Sequence, residues 1–267
     1  MSVNDELGKR MKEYYEQVPK TRLVRRMPVA IRIDGKCFHQ FTKGFEKPFD
    51  RILISTMQNT MKKLCENIQG CIFGYTQSDE ITLILKDYTK LNTSAWFDYE
   101  VQKMCSIAAS MTTLYFNQFF RDALEPGLTG QYSLSKSEVE HLPARIRARD
   151  KGAMFDARCF NIPKEEVANL IYWRQIDAYR NSRQMAGQAN FSAKELNGKS
   201  CTKIVEMLKE EKGIDFETFY QPDEKYGTVC FKYDDSLGTR WENVACCHIM
   251  TNEDRAIIQS RIDYVEE

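Results

Sequence analysis

The sequence lacks long apolar runs, is poor in histidine and carries no net charge. No stretch of its 267 residues approaches the roughly 18 consecutive apolar residues of a membrane-spanning helix, so we expect a soluble protein with no membrane partner. Three histidines leave little room for a histidine-rich metal site. Acidic and basic residues number 38 each, which argues against a broad electrostatic field that holds nucleic acid, although local basic patches remain compatible with this balance.

The cysteines and the first residues indicate the compartment. The nine cysteines are odd in number and include no CxxC pair, and Cys246, Cys247 and His248 are too closely spaced for ordinary zinc ligands. We therefore expect reduced, partly buried thiols. Residues 1–17 mix acids and bases, unlike a secretory or transit peptide. Together these features predict a cytoplasmic protein.

The first part of the chain alternates strand-like and helical patterns. The apolar, β-branched run at 28–33 predicts a buried strand that ends at Asp34-Gly35. After a loop to residue 49, Asp50 is expected to cap a helix that ends at Gly70. Its apolar positions recur every three or four residues. They are Leu53, Met57, Met61, Leu64 and Ile68.

The continuation of this pattern predicts an α+β fold. Two short strands at 71–76 and 81–85 are joined by a polar connection, which indicates a hairpin. A long helix is expected at about 95–123 and a strand at 153–162, whereas 124–150 show no firm periodicity. The order β, α, β, β, α, β is typical of a ferredoxin-like palm with both helices on one face of the sheet. We expect this palm at 1–162 and a mainly helical companion region at 163–267.

Two carboxylates are the strongest candidates for chemistry. Asp34 ends the first strand and Asp79 lies at the hairpin, so neighbouring strands in one sheet would bring them together. Nearby carboxylates repel unless a cation neutralises them, and oxygen ligands suit Mg²⁺ shared with substrate phosphates. Two such ions about 4 Å apart bind the attacking and leaving oxygens of a phosphoryl transfer. The Gly35 carbonyl is a further ligand candidate. Glu80 is expected to take part in catalysis either by holding neighbouring groups in place or by binding the metal transiently.

The residues after Asp34 form the candidate nucleotide-binding segment. Successive backbone N–H groups of Gly35, Lys36, Cys37, Phe38 and His39 would create a concave nest for a triphosphate. We expect His39 to act by hydrogen bonding rather than by carrying a proton. Lys47 and Lys103 are candidates for neutralising phosphate charge.

A basic stretch and a later helix supply candidate contacts to RNA phosphates, although solvated surface charge explains them equally well. The residues are Arg145, Arg147, Arg149, Lys151, Arg180 and Arg183.

Seven short segments, in order along most of the chain, resemble the tRNA-His guanylyltransferase family. They are IDGKCFH at 33–39, KP at 47–48, GYTQSDE at 74–80, AWF at 95–97, SIAAS at 106–110, FDAR at 155–158 and WRQIDA at 173–178. The resemblance implies a polymerase-like palm that works in reverse and adds nucleotides to the 5′ end of tRNA. It implies metal ligation by Asp34, Gly35 and Asp79, nucleotide binding by 34–39 with Ser78, and phosphate contact by Lys47.

The resemblance also implies a chemistry and an assembly. ATP or GTP first activates a 5′-monophosphorylated tRNA, and the 3′-hydroxyl of GTP or another nucleoside triphosphate then attacks the activated phosphate. A 5′-triphosphorylated end would skip the activation. The family suggests a homotetramer.

One segment departs from the eukaryotic members of the family. Where they have His-Ile-Asn-Asn, this chain has Tyr-Arg-Asn-Ser at 179–182. This favours the guanylyltransferase-like branch, which resembles a template-dependent 3′–5′ polymerase for tRNA 5′-end repair. Three alternatives remain: a tRNA-His-specific guanylyltransferase, a nucleotide cyclase or other palm transferase acting on free nucleotides, and an RNA-binding protein without chemistry.

Overall fold

A six-stranded antiparallel sheet forms the centre of the computed structural model, which describes residues 3–90, 92–129, 133, 135–235 and 238–263. The strands are β1 (Val29–Gly35), β2 (Cys71–Gln77), β3 (Glu80–Leu85), β4 (Phe155–Asn161), β5 (Thr228–Asp235) and β6 (Gly238–Ala245). The helices are α1 (Val3–Met11), α2 (Phe38–Phe41), α3 (Arg51–Asn67), α4 (Val101–Leu128), α5 (Lys136–Lys151), α6 (Val167–Asn190), α7 (Ala193–Leu196), α8 (Cys201–Lys212), α9 (Phe216–Phe219), α10 (Pro222–Tyr226) and α11 (Asn252–Asp263). Short π- or 3₁₀-helical turns lie at Lys12–Glu16, Trp96–Tyr99 and Lys164–Glu166.

The predicted α+β palm is confirmed by the strand order. The sheet runs β4-β1-β3-β2-β5-β6, and its first four strands have the ferredoxin-like arrangement. The hairpin of β5 and β6 then pairs with β2, so the sheet continues into strands that follow residue 162. The division into 1–162 and 163–267 stays a prediction, but the sheet itself crosses this boundary.

Each face of the sheet is covered by helices. Ile31, Ile33 and Leu83 point to the face that α3 and α4 cover, where they pack with Met57 and Phe116 in the main core. This places the two palm helices on one face, as the order of elements predicts. The opposite face carries a second apolar cluster beneath α6 and α11, built from residues that alternate with the first set along the strands.

Helix α3 begins as the sequence predicts. The Asp50 side chain accepts a hydrogen bond from the backbone N–H of Leu53 at 3.0 Å, which satisfies one of the free donors of the first turn. The apolar stripe of α3 then packs on the sheet through Met57, Met61 and Leu64.

Helix α5 was not predicted from the sequence. Its start is a capping box in which the N–H of Glu138 donates to Ser135 Oγ and the N–H of Ser135 donates to the Glu138 carboxylate. Its buried residues are Ala144, Arg145 and Ala148, so it lacks the large apolar side chains that make a helical period visible.

Two further expectations concern membrane-spanning helices and the state of the cysteines. No helix in the described ranges is long and apolar enough to cross a membrane. The nine cysteines are free thiols, and three of them are buried.

Candidate functional site

The end of β1 and the β2–β3 hairpin meet at one edge of the sheet. Asp34 is the cross-strand partner of Glu80, and the N–H of Gly35 donates to the Asp79 carbonyl at 3.1 Å. Gln77 pairs with Glu80, so Ser78 and Asp79 form a two-residue turn in which Ser78 has φ of 54°. The sheet therefore places Asp34 and Asp79 side by side, although 45 positions separate them in the sequence.

The electrostatics of this edge favour a cation. Burial raises the pKa of the Asp79 carboxyl above its ordinary value, and the negative charge of Asp34 raises it further. Ser78 Oγ donates to Asp79 Oδ1 at 3.0 Å and opposes this rise. Of the lysines and arginines that the structure describes, none forms an ion pair with Asp34 or Asp79. The fold thus leaves two adjacent carboxylates without a neutralising partner of its own.

These residues fit Mg²⁺ that is shared with a substrate. Within the described part of the chain, no three histidine, cysteine or acidic side chains converge into a complete metal site. Two carboxylates and the Gly35 carbonyl supply part of an octahedral oxygen set. Mg²⁺ commonly completes such a set with water and substrate phosphates. The incomplete protein set therefore suits a metal ion that binds together with a triphosphate.

Glu80 is engaged by an arginine. Arg174 on α6 donates from Nε and Nη2 to the two carboxylate oxygens of Glu80, both at 2.7 Å. Both side chains are largely buried, Arg32 lies 3.7 Å from the same carboxylate, and Asp177 accepts a further hydrogen bond from Arg174. With both oxygens occupied, Glu80 is placed to support the site rather than to bind metal directly.

Fewer backbone N–H groups after Asp34 are free to bind a phosphate than the sequence predicts. The N–H groups of Gly35 and Lys36 donate to the carbonyls of Asp79 and Met154, so neither is available to a phosphate. Cys37 adopts a left-handed conformation with φ of 53° and ψ of 40°, and helical residues follow it. Among the acceptors that the structure describes, none takes the N–H groups of Cys37, Phe38 or His39. The remaining donors at 37–39 form the concave feature.

Phe38 and Gly35 depend on each other for packing. The Phe38 ring is 6% exposed and lies in an aromatic cluster with Phe41, Phe116 and Phe155. A Cβ atom on Gly35 would stand only 2.2 Å from this ring. Phe38 can therefore offer a ligand its backbone, as the sequence predicts, but not its side chain.

A cleft of 510 Å³ opens beside the two carboxylates. His39, Lys47 and Ser78 line it with Asp34 and Asp79, so these predicted residues come together. Lys36 is exposed but is not a lining residue.

The structure does not bring Lys103 into this cleft. Lys103 lies in the first turn of α4, where its ammonium group is 5.7 Å from the Phe97 ring centroid. Its neighbour Cys105 contacts Cys159, three residues along β4 from Asp156, whereas Asp156 is the residue that pairs with Asp34. Lys103 is therefore not a lining residue of this cleft, because helical spacing alone does not show which end of the sheet a residue reaches. Its role in nucleotide binding stays a prediction.

The later part of the chain also lines the cleft. Met185 and Gln188 come from α6, and Asp223 and Glu224 come from α10. Arg51 binds the Asp223 carboxylate through two hydrogen bonds of 2.9 and 3.0 Å, so this acid is already neutralised. The sequence offers no motif for these contacts, because they depend on how α10 packs against α6 and reaches Arg51 of α3.

Arg145 is a structural residue rather than an RNA contact. Its side chain is 2% exposed, and it donates from Nε and Nη2 to Asp50 Oδ2 at 3.0 and 2.9 Å. Glu46 lies 3.7 Å from the same guanidinium. The prediction that Arg145 binds RNA is wrong, because α5 turns this residue inward to the cap of α3.

The other predicted RNA contacts differ in their surroundings. Arg147 and Lys151 are exposed. Arg149 pairs with Asp150, Arg180 pairs with Asp177, and Arg183 lies over the Tyr179 ring. Arg147 and Lys151 are therefore the most available of the set.

Comparison with known proteins agrees with this geometry. A family model for tRNA(His) guanylyltransferase (Thg1) matches residues 8–163. The chain belongs to the tRNA(His) guanylyltransferase family. The predicted resemblance is thereby confirmed, and with it the class of enzyme, a nucleotidyltransferase.

The relatives of this guanylyltransferase-family chain include solved structures of similar length. A bacterial tRNA(His) guanylyltransferase (Thg1)-like protein in complex with ATP matches with a TM-score of 0.80 and 36% identity, over 97% of this chain and 99% of that chain. A structure of the same description in complex with GTP has a TM-score of 0.71 and 33% identity, over 96% and 99% of the two chains.

Sequence relatives are more distant. An uncharacterized protein, R259, of Acanthamoeba polyphaga mimivirus is 30% identical over 79% of this chain and 72% of its own length. The chain spans 54%, 37% and 57% of the length of three curated guanylyltransferases that it also matches.

Proposed function

We propose that the chain is a template-dependent 3′–5′ polymerase that restores missing nucleotides at the 5′ end of tRNA. The observation that carries this proposal is the pair of unneutralised carboxylates, Asp34 and Asp79, at the mouth of a cleft that also contains the donors at 37–39. The ATP and GTP complexes of the structural relatives support nucleoside triphosphates as substrates.

The proposed reaction has two balanced steps. An oxygen of the tRNA 5′-monophosphate attacks the α-phosphorus of ATP, which forms a phosphoanhydride and releases pyrophosphate. The 3′-hydroxyl of the incoming nucleoside triphosphate then attacks the RNA 5′-phosphorus, which forms the new phosphodiester and releases AMP. A 5′-triphosphorylated tRNA enters at the second step and releases pyrophosphate instead.

The residues of the site have distinct proposed roles. Asp34, Asp79 and the Gly35 carbonyl would hold two Mg²⁺ ions, which when bound would neutralise phosphate charge and make the attacking 3′-hydroxyl more acidic. The N–H groups at 37–39 orient the triphosphate, and Lys47 offers it a point charge from the wall of the cleft. Glu80 is fixed by Arg174 and keeps the adjacent hairpin in place.

The segment at 179–182 supports the repair reaction over strict tRNA-His selection. Tyr179 donates to Glu217 and stacks on Tyr226 with ring centroids 5.1 Å apart. Ser182 is fully buried and donates to the Tyr179 carbonyl. Ser182 Oγ also lies 3.5 Å from the Lys225 carbonyl oxygen of α10. Tyr179 and Ser182 therefore join α6 to α9 and α10 and are unavailable for reading a particular tRNA.

A direct extension assay tests the proposal. A 5′-monophosphorylated tRNA that lacks its first nucleotide is incubated with ATP, Mg²⁺ and each nucleoside triphosphate in turn, while the opposing acceptor-strand base is varied. We expect incorporation to follow the opposing base. Guanosine added only to tRNA-His, whatever base stands opposite, would instead establish the narrower guanylyltransferase. Absence of extension by a folded protein would overturn both, and turnover of free nucleotides alone would establish a cyclase-like activity.

We also propose a cytoplasmic homotetramer. Leu114 and Met154 are more than half exposed and line one shallow groove beside α4 and the edge strand β4. Exposed apolar side chains next to an unpaired strand edge support a contact between copies. Light scattering of the purified protein is expected to give the mass of four chains, and a monomeric mass would contradict the proposal.

A further inference from the structure

A second cleft lies on the other side of the loop that follows β1. It has a volume of 420 Å³ and is walled by residues 40–44 and by the last two turns of α5. Gln40, Lys43 and Gly44 face this cleft, whereas Thr42, Phe45 and Lys47 of the same loop face the catalytic cleft. The two clefts are therefore separated by the width of one loop.

Three cations converge on the second cleft from two elements. Lys43 comes from the loop, and Arg147 and Lys151 lie four positions apart on one side of α5. All three side chains are exposed, and none forms an ion pair with an acid in the described ranges. The second cleft therefore carries three positive side chains that have no acidic partner among the described residues.

The backbone brings the two walls together. Gly44 has φ of 87°, and a Cβ atom there would lie 3.0 Å from the Ala144 Cβ. His141 Nδ1 is 3.1 Å from the Gly44 carbonyl oxygen. Ala144 and Ala148 form a floor of small side chains beneath the cations. A glycine in the loop and alanines on the helix thus allow the close approach by which Lys43 and Arg147 line one cleft.

The neighbouring acids leave the cleft positive. Asp150 is paired with Arg149, and Glu46 is engaged by Arg145 and Ser137. Glu140 is exposed one or two turns earlier on α5 and is not a lining residue. The cleft itself is lined by three positive side chains and no acid.

We propose that Lys43, Arg147 and Lys151 form a subsite for the ribose–phosphate backbone of the RNA substrate. Point cations on a shallow surface contact phosphates without reading bases, which fixes the position of an RNA strand. The aromatic lining residue, Phe41, is buried and gives no exposed ring on which a base could stack. This inference rests on the proposed function, because it assigns the subsite to the RNA whose 5′ end reaches the catalytic cleft.

Charge reversal on each wall tests the subsite separately. The variants are Lys43→Glu and the double variant Arg147→Glu/Lys151→Glu, and Lys194→Glu is the matched control on an exposed residue that lines neither cleft. Binding of tRNA is measured by fluorescence anisotropy between about 50 and 200 mM salt, the range over which phosphate contacts weaken strongly. We expect the dissociation constant to rise roughly ten-fold or more for both variants. We also expect the slope of log K against log salt to fall by about one per lost phosphate contact.

Further measurements separate this subsite from the catalytic proposal. Circular dichroism confirms the fold, and calorimetry with GTP is expected to show unchanged binding in both variants. Dissociation constants for tRNA equal to those of the Lys194→Glu control would overturn the subsite even if the wild type extends tRNA. Weakened tRNA binding in both variants, together with a wild type that extends no 5′ end, would support the subsite and overturn the proposed reaction.

Discussion

Asp50 and Asp79 both line the cleft of 510 Å³ at the end of β1, yet their surroundings differ. Asp50 accepts two hydrogen bonds from the buried Arg145 and caps α3, so its charge is compensated within the protein. Asp79 has a serine hydroxyl and a second carboxylate beside it, and its pKa is raised by burial and by that neighbour. A carboxylate that supports structure receives its counter-charge from the fold, whereas one that serves chemistry is left to obtain it from a ligand.

The largest expected effect is at the uncompensated carboxylate. Asp79→Asn removes a proposed metal ligand, and such contacts supply several kcal/mol of transition-state stabilisation, so we expect a loss of at least about 1,000-fold in kcat/KM. Rates of 5′ extension measured at saturating Mg²⁺ check this. Asp122→Asn on the exposed face of α4 is the matched control. Retained turnover in Asp79→Asn would contradict the metal assignment.

The same variant should stabilise the metal-free fold. A carboxyl whose pKa is higher in the folded than in the unfolded chain binds more protons when folded, so its contribution to stability falls as pH rises through that interval. At neutral pH the Asp79 charge is therefore unfavourable in the absence of metal, and Asp79→Asn is expected to raise Tm. The gain should disappear in acid, where Asp79 is protonated in both states. A lower Tm at neutral pH would contradict this account.

Removing the partner of Asp50 should lower stability, whereas Asp79→Asn should raise it. Arg145→Met leaves Asp50 buried without its partner, which is expected to cost about 3–5 kcal/mol of unfolding free energy in denaturant titration. Arg149→Met removes the more exposed ion pair with Asp150 on the same helix and should cost less than about 1 kcal/mol. The double variant Asp50→Asn/Arg145→Met should recover part of the loss. Equal losses of unfolding free energy in Arg145→Met and Arg149→Met would contradict a special role of Arg145 in compensating the Asp50 charge.

Arg174 should have the smallest of these effects, because it acts on the site through Glu80. Replacing it with Gln removes the two-pronged contact, and loss of such supporting groups typically lowers activity about 10–100-fold. The Mg²⁺ concentration for half-maximal rate should rise as well, which a purely structural role would not produce. Arg174→Lys restores one contact and should rescue only in part. Arg22→Gln, which breaks an exposed ion pair with Asp98, is the control. An equal loss of activity in Arg174→Gln and Arg22→Gln would contradict a positioning role for Arg174.

Local patterns predicted the elements that contain large apolar residues. The stripe of α3, its Asp50 cap, the hairpin and β4 are present, because each depends on residues close together in the sequence. Helix α5 was not predicted, because its inward face consists of alanines and Arg145. Lys103 and Arg145 were assigned to ligands because charge is visible in a sequence, whereas the direction of a side chain is not.

The sequence by itself determined the family and the palm and predicted the two carboxylates of the candidate site, since these depend on periodicity and on short motifs. Tertiary structure alone decided which charges are neutralised. Arg174 reaches Glu80 across 94 positions and Arg145 reaches Asp50 across 95, while Asp34 and Asp79 meet with no such partner among the described residues. The interaction energy between two charges falls with the distance between them and depends on their burial. Only the folded arrangement of sheet and helices could therefore separate the acids that the protein neutralises itself from the two that we propose as metal ligands.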